Sequence, residues 1–131
     1  MGRLICDVGK ISIIMKIPNS KHAIVDIGKL KKYCLNTRHR IGRNKARLFA
    51  SALGVTIDDA EALREILLSA VQEYDAKIGL KDDYGQRYQI DFPMSWNQKQ
   101  AMVRCTWIIE PDVPNPRLTS CYVLKNKEVR R

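Results

Sequence analysis

The apolar residues of this chain change their spacing once, from a period of about 3.6 to a period of 2, and that switch limits the fold more than any other feature. Before Asp83 the residues Leu63, Ile66, Leu67, Ala70, Val71 and Tyr74 form one continuous helical stripe. After it Tyr88, Ile90 and Phe92 share one side of a strand, while Arg87, Gln89 and Asp91 share the other. Helices followed by a run of strands predict an α+β domain, with N-terminal helices packed on one face of a C-terminal antiparallel β-sheet.

Within the first half, Asp26 is a fitting N-cap for a short helix over Ile24 to Leu35, and Asn36 stops it. A second helix is expected from Arg43 to Leu53, because Ala46, Phe49, Ala50 and Leu53 recur at helical spacing and Gly54 supplies a C-terminal cap. Asp58 would cap the third helix. Ile78 to Asp83 reads as turn. Strands are expected at Tyr84 to Phe92, Ala101 to Glu110 and Leu118 to Leu124, separated by Pro93 to Gln98 and by the proline-rich Pro111 to Pro116. On the second strand Val103, Cys105, Trp107 and Ile109 face the helices and Arg104 and Thr106 face away. The third strand is ambiguous, since either parity supplies a polar residue: Thr119 with Cys121 and Val123, or Ser120 with Tyr122 and Leu124.

A length of 131 residues suits a single domain able to bury its own core. Residues 15–131 read as that domain. Residues 1–14 read as an N-terminal extension or a short extra strand, with Met15 an alternative start. The apolar run Ile11 to Met15 is far too short to cross a bilayer, so no membrane role is expected. Cys6, Cys34, Cys105 and Cys121 show neither finger spacing nor close pairing, and with no secretory signal they are expected as free thiols in the cytoplasm.

Formal charge is +9 and unevenly placed. Lys29 to Arg47 carries eight cations (Lys29, Lys31, Lys32, Arg38, Arg40, Arg43, Lys45, Arg47) and no acidic residue, whereas Val55 to Asp83 is net acidic. Such polarity favours nucleic acid over general membrane adhesion. At the centre of the basic run stands His39, between Arg38 and Arg40, whose fields would disfavour its protonated form and keep it available as a base. The other histidine, His22, reads as a surface residue.

RNA can be cut without a metal by a base for the 2′-hydroxyl, cations for the charge growing on the phosphoryl oxygens, and a donor for the leaving 5′-oxygen. His39, Arg43, Lys45, Arg104 and a hydroxyl from Thr106, Thr119, Ser120 or Tyr122 could fill those roles. Because the nucleophile is internal to the substrate, RNA would be cut and DNA would not. Rival chemistries find less. There is no zinc constellation, and Asp82, Asp83 and Asp91 lack the following lysine of a restriction-nuclease-like site. A Cys-His pair would need a depressed thiol in Cys34, Cys105 or Cys121, and Gly42-Arg43-Asn44-Lys45 lacks the spacing of a nucleotide cradle.

The segments KLKKYCLNTRHRIGRNKARLFASALGV from Lys29, DDAEALREILLSAV, YGQRYQIDF, AMVRCTWII and PRLTSCYVL together resemble a small bacterial domain family of unknown function, found as free-standing proteins and as C-terminal modules of polymorphic toxins. The resemblance runs from Ile17 to Leu124. Its order of helices and sheet is similar to the superfamily of barnase, EndoU, colicin and RelE-type ribonucleases. The family's His-x-x-Gly-[Arg/Lys]-x-Lys-Ala motif stands here as His39, Gly42, Arg43, Lys45 and Ala46, with Arg40 where a proline is typical. The Arg-x-[Ser/Thr]-Trp strand motif stands as Arg104, Thr106 and Trp107, and the last strand as Pro116, Arg117, Leu118, Thr119, Cys121 and Tyr122.

The resemblance implies a metal-independent endoribonuclease toxin acting on tRNA or mRNA, needing no cofactor, and neutralised by a small antitoxin protein. His39 would be general base or acid, Lys45 and Arg104 would stabilise the transition state, and Thr106 and Tyr122 would orient substrate or donate to it. Arg38, Arg40, Arg43, Arg47, Arg87, Arg117 and Thr119 would bind RNA. The alternative is a non-catalytic module that binds RNA or an antitoxin with the same cations.

Overall fold

The computed structural model describes residues 3–7, 10–40 and 43–125, with side chains described from residue 13 onward within those ranges. Six strands form one antiparallel sheet in sequence order: β1 (Arg3–Asp7), β2 (Lys10–Met15), β3 (Ala76–Asp82), β4 (Gly85–Trp96), β5 (Lys99–Glu110) and β6 (Val113–Val123). The helices lie in the connection from β2 to β3: α1 (Ile27–Lys29), which continues as a π-helical turn over Leu30–Cys34, then α2 (Arg43–Leu53) and α3 (Ala60–Glu73). The architecture is α+β.

The helix signals act locally as expected. Asp26 accepts a hydrogen bond from the Gly28 N–H at 2.8 Å, and Gly54 takes the left-handed conformation, φ 76°, just beyond α2. The entry to α3 differs from the Asp58 expectation. Thr56 and Asp59 form a reciprocal capping box around a short 3₁₀ turn, Ile57–Asp59.

The sheet is longer than its periodicity announces. Ile78 to Asp83, read as turn, belongs mostly to β3, where Ala76, Ile78 and Leu80 alternate with Lys77, Gly79 and Lys81 but only Ala76 is buried. β4 runs through Pro93 to Trp96 and turns at Asn97 and Gln98, whose φ angles of 51° and 64° suit a two-residue hairpin. Pro93 is tolerated because β3 pairs with β4 only as far as Gln89, so the strand beyond has β5 alone as partner and a missing N–H breaks no second ladder. β6 likewise starts before Leu118, at Val113.

The core lies between the helices and one face of the sheet. Leu30, Phe49, Leu53, Leu63, Leu67 and Val71 meet Ile90, Val103, Cys105, Trp107, Leu118 and Val123 there, all buried. Among the described residues no helix is long and apolar enough to cross a membrane.

Register between β5 and β6 slips at Thr106 and Trp107: Thr106 pairs with Ser120 but Trp107 pairs with Leu118, leaving Thr119 as a bulge. The bulge resolves the ambiguous parity, because both Thr119 and Ser120 turn their hydroxyls toward Thr106. β6 is the sheet's last strand; Ile24 bridges its outer side at Arg117, and Lys29 of α1 reaches the carbonyl of the bulge residue Thr119.

Candidate functional site

On the sheet face away from the core, cations and carboxylates are already matched. Arg104 makes a forked pair with Asp91, Nε to Oδ1 at 2.8 Å and Nη2 to Oδ2 at 3.0 Å. Arg117 pairs with Glu110 at 2.9 Å, and Arg87 with Asp82 at 3.5 Å. Between Arg87 and Arg117 in register lies Ile108, buried although it belongs to this face. Asp91 holds the Arg104 guanidinium charged, raising its pKa further above its ordinary range, with a smaller contribution from a hydrogen bond to Tyr122. The arginines expected to greet RNA from the sheet are therefore spoken for by the protein itself.

The basic segment converges instead on the rim of β6. Lys29, Tyr33, Cys34, Lys45, Thr119, Ser120 and Cys121 line one concavity of about 200 Å³. Lys29 and Tyr33 are four apart and so share a face of α1 and its π turn. Lys29 Nζ donates to the carbonyl of the bulge residue Thr119 at 3.3 Å and lies 5.8 Å from the Tyr33 ring centre. Lys45, from the first turn of α2, puts Nζ 4.0 Å from the Tyr122 ring centre, a cation–π contact. Tyr122 in turn faces Arg104 across the ladder. At the bulge, Thr106 Oγ1 is 2.6 Å from Thr119 Oγ1 and 2.9 Å from Ser120 Oγ, so one strand hydroxyl fixes two at the rim.

His39 reaches this place through Tyr33. Its ring centre lies 4.4 Å from that of Tyr33, tilted by 52°. The loop is fixed by its own backbone: Asn36 Oδ1 accepts from the Arg38 N–H at 2.9 Å, the Asn36 carbonyl accepts from the His39 N–H at 3.2 Å, and the His39 carbonyl accepts from the Arg43 N–H at 3.0 Å, starting α2. Among the described residues that line the concavity His39 is not one. It sits one aromatic ring behind them.

The other expected residues scatter. Arg38 lines a different concavity with Leu35, Thr37, Ala50 and Ile57. Arg40, Arg43 and Arg47 are exposed around the start of α2, and Gly42 lies outside the described residues. Sequence reasoning passed over Lys29 and Tyr33 as site residues and weighed Cys34 only as half of a Cys-His pair, although the four-residue step from Lys29 to Tyr33 was there to be read.

The floor of the concavity holds a thiol pair. The neighbouring Cys121 thiol, together with Lys29 and Lys45, lowers Cys34 to about 7 against the opposing effect of burial. Cys121 is correspondingly raised, by Cys34 first and then by burial. Among the described residues no group of three or more His, Cys, Asp or Glu is placed to hold a metal ion.

The fold is shared with a solved structure. The chain is similar to one chain of a contact-dependent growth inhibition toxin–immunity protein complex from Klebsiella pneumoniae 342, at 21% identity and a TM-score of 0.58, over 77% of this chain and 99% of that one. No curated protein matches the chain. Residues 16–125 match the family described as Domain of unknown function (DUF6883), and the chain belongs to that family.

Proposed function

We propose that this domain is a metal-independent endoribonuclease toxin whose site is the rim of β6 and not the open sheet face. The observation that carries this reading is one concavity lined by two lysines and by the Thr119 and Ser120 hydroxyls that Thr106 holds, with His39 packed behind its Tyr33 wall. His39 takes the proton of a 2′-hydroxyl. The freed oxygen attacks phosphorus, while Lys29 and Lys45 offset the charge growing on the phosphoryl oxygens. Tyr122 donates to the departing 5′-oxygen, leaving a 2′,3′-cyclic phosphate and a 5′-hydroxyl. Thr119 and Ser120, held by Thr106, orient the nucleotide.

Arg104 acts differently here from the phosphate contact its motif suggests. With Asp91 occupying its fork, it is a positioning residue for the Tyr122 phenol. The exposed Arg40, Arg43 and Arg47 hold flanking phosphates of a tRNA or mRNA in the cytoplasm. The same basic surface suits an acidic neutralising partner, and the likeness to a chain of a toxin–immunity complex supports such a partner.

A second reading, a non-catalytic module for RNA or an antitoxin, is favoured by one observation: Arg87, Arg104 and Arg117 are all paired with carboxylates. Purified protein incubated with end-labelled RNA in EDTA separates the two. Cleavage to cyclic-phosphate ends is expected, slowed about 10²- to 10⁴-fold by His39→Ala with the circular dichroism unchanged. Intact RNA in salt-sensitive complexes would replace the nuclease with the binding module.

A further inference from the structure

The Cys34–Cys121 pair has no part in the RNA chemistry above, and although both residues belong to the hydrophobic core, both also line the rim concavity. Cys34 closes the π turn directly after Tyr33, and Cys121 lies on β6 directly after the bulge. Both are buried, at 7% and 2% exposure, and both line the rim concavity, so a small solute reaches them where a bulky reagent does not. Lys29 and Lys45 stand in the same walls. Cys105, paired with Cys121 in the ladder, is the internal contrast: it lies off the concavity, accepts a hydrogen bond from Trp107 Nε1 at 3.2 Å, and is pushed by burial up to about 12.

We infer that Cys34 and Cys121 form a dithiol that reduces small hydroperoxides, with Cys34 as the attacking sulfur and Cys121 as the resolving one. The Cys34 thiolate attacks the terminal oxygen of the hydroperoxide, the O–O bond breaks, and the alkoxide leaves as the alcohol after taking a proton from solvent. Cys34 is then a sulfenic acid. The Cys121 sulfur attacks it, the S–O bond breaks, and hydroxide departs with the Cys121 proton as water. One disulfide has formed, the two sulfurs have given up two electrons, and the peroxide has accepted them. The shared wall of the concavity brings the two thiols together, and Cys34, lowered to about 7, is the more readily ionised of them. The disulfide would tie the π turn to β6 across the floor of the concavity. Oxidation of this pair is independent of whether the chain cuts RNA.

Treating the full-length protein with hydrogen peroxide, blocking residual thiols by alkylation and mapping the peptides tests the assignment. The expected result is an intramolecular disulfide joining the Cys34 and Cys121 peptides, with Cys105 still alkylated after denaturation. In Cys121→Ser, dimedone present as the peroxide-treated protein is unfolded is expected to capture a sulfenic acid at Cys34. Should Cys34 and Cys121 both stay alkylatable while Cys6 or Cys105 is consumed, or should wild-type Cys34 oxidise without ever linking to Cys121, the dithiol is refuted. The wild-type map decides the matter even if a variant fails to fold.

Discussion

Thr106→Val removes a hydroxyl and keeps the side chain's size, which isolates the polar linkage at the β6 bulge from packing. Thr106 Oγ1 bonds Thr119 Oγ1 at 2.6 Å and Ser120 Oγ at 2.9 Å, both partly buried. A net hydrogen bond contributes about 1 kcal/mol, so losing two should cost about 2 kcal/mol, with no cavity to add to it. For a domain of 131 residues that corresponds to a fall in Tm of about 7 °C. Urea and thermal unfolding of Thr106→Val, Thr119→Val and the double variant measure the cost and the coupling. A coupling of about 1 kcal/mol between the two threonines is expected. Loss of RNA cleavage should accompany it, since Thr119 and Ser120 would no longer be held toward the concavity. Unchanged Tm for Thr106→Val, with the single effects simply adding, would refute the linked-hydroxyl account of the bulge.

Gly85→Ala should be severely destabilising, because Gly85 has φ 135° and an added Cβ would lie 2.9 Å from the Ile109 carbonyl carbon and nearer still to its oxygen; a large drop in Tm or insoluble expression checks this. Stability should rise with pH between about 7, where Cys34 ionises in the folded chain, and its ordinary 9.0. In that window the unfolded chain binds more protons, so the contribution is lost as pH falls through 7, while above 9 the raised Cys121 works the other way. Urea midpoints across this range should show the slope in wild type and a flat line in Cys34→Ser. Lys45→Met should lower the slope of log affinity for RNA against log salt by about one phosphate contact, whereas Arg117→Met should leave it nearly unchanged, Arg117 being already paired with Glu110.

The elements that sequence reveals here are those whose signal is local. Asp26 and Gly54 mark helix ends because the cap is made by the neighbouring backbone, and Trp107 and Ile90 announce the core through strict alternation. β3 escapes because its alternation, Ala76, Ile78 and Leu80 against Lys77, Gly79 and Lys81, is short, is interrupted by Gly79 and runs straight into Asp82 and Asp83, a composition that reads as turn. Pro93 misleads because its neutrality depends on where β3 stops pairing. Thr119 and Ser120 defeat any parity argument, since a bulge places two successive side chains on one side.

The site shows the same division. His39 was legible as a loop histidine inside a basic run, and Lys45 and Tyr122 by motif. That Asp91 would close on Arg104 depends on the β4–β5 register, which sets residues 13 apart in the chain directly opposite one another. The aromatic step from His39 to Tyr33 and the meeting of Cys34 with Cys121 depend on how the π turn docks against β6. No sequence period encodes that docking, so the charge of the segment was readable and its destination was not.

The 2′-hydroxyl as internal nucleophile is the claim on which the nuclease reading stands, and a DNA oligonucleotide carrying one embedded ribonucleotide tests it most directly. In EDTA, one cut is expected, on the 3′ side of the ribonucleotide, leaving a 2′,3′-cyclic phosphate, with the all-DNA control intact. Cutting of the all-DNA strand, or an intact chimera beside readily cleaved cellular RNA of the same sequence context, would contradict it.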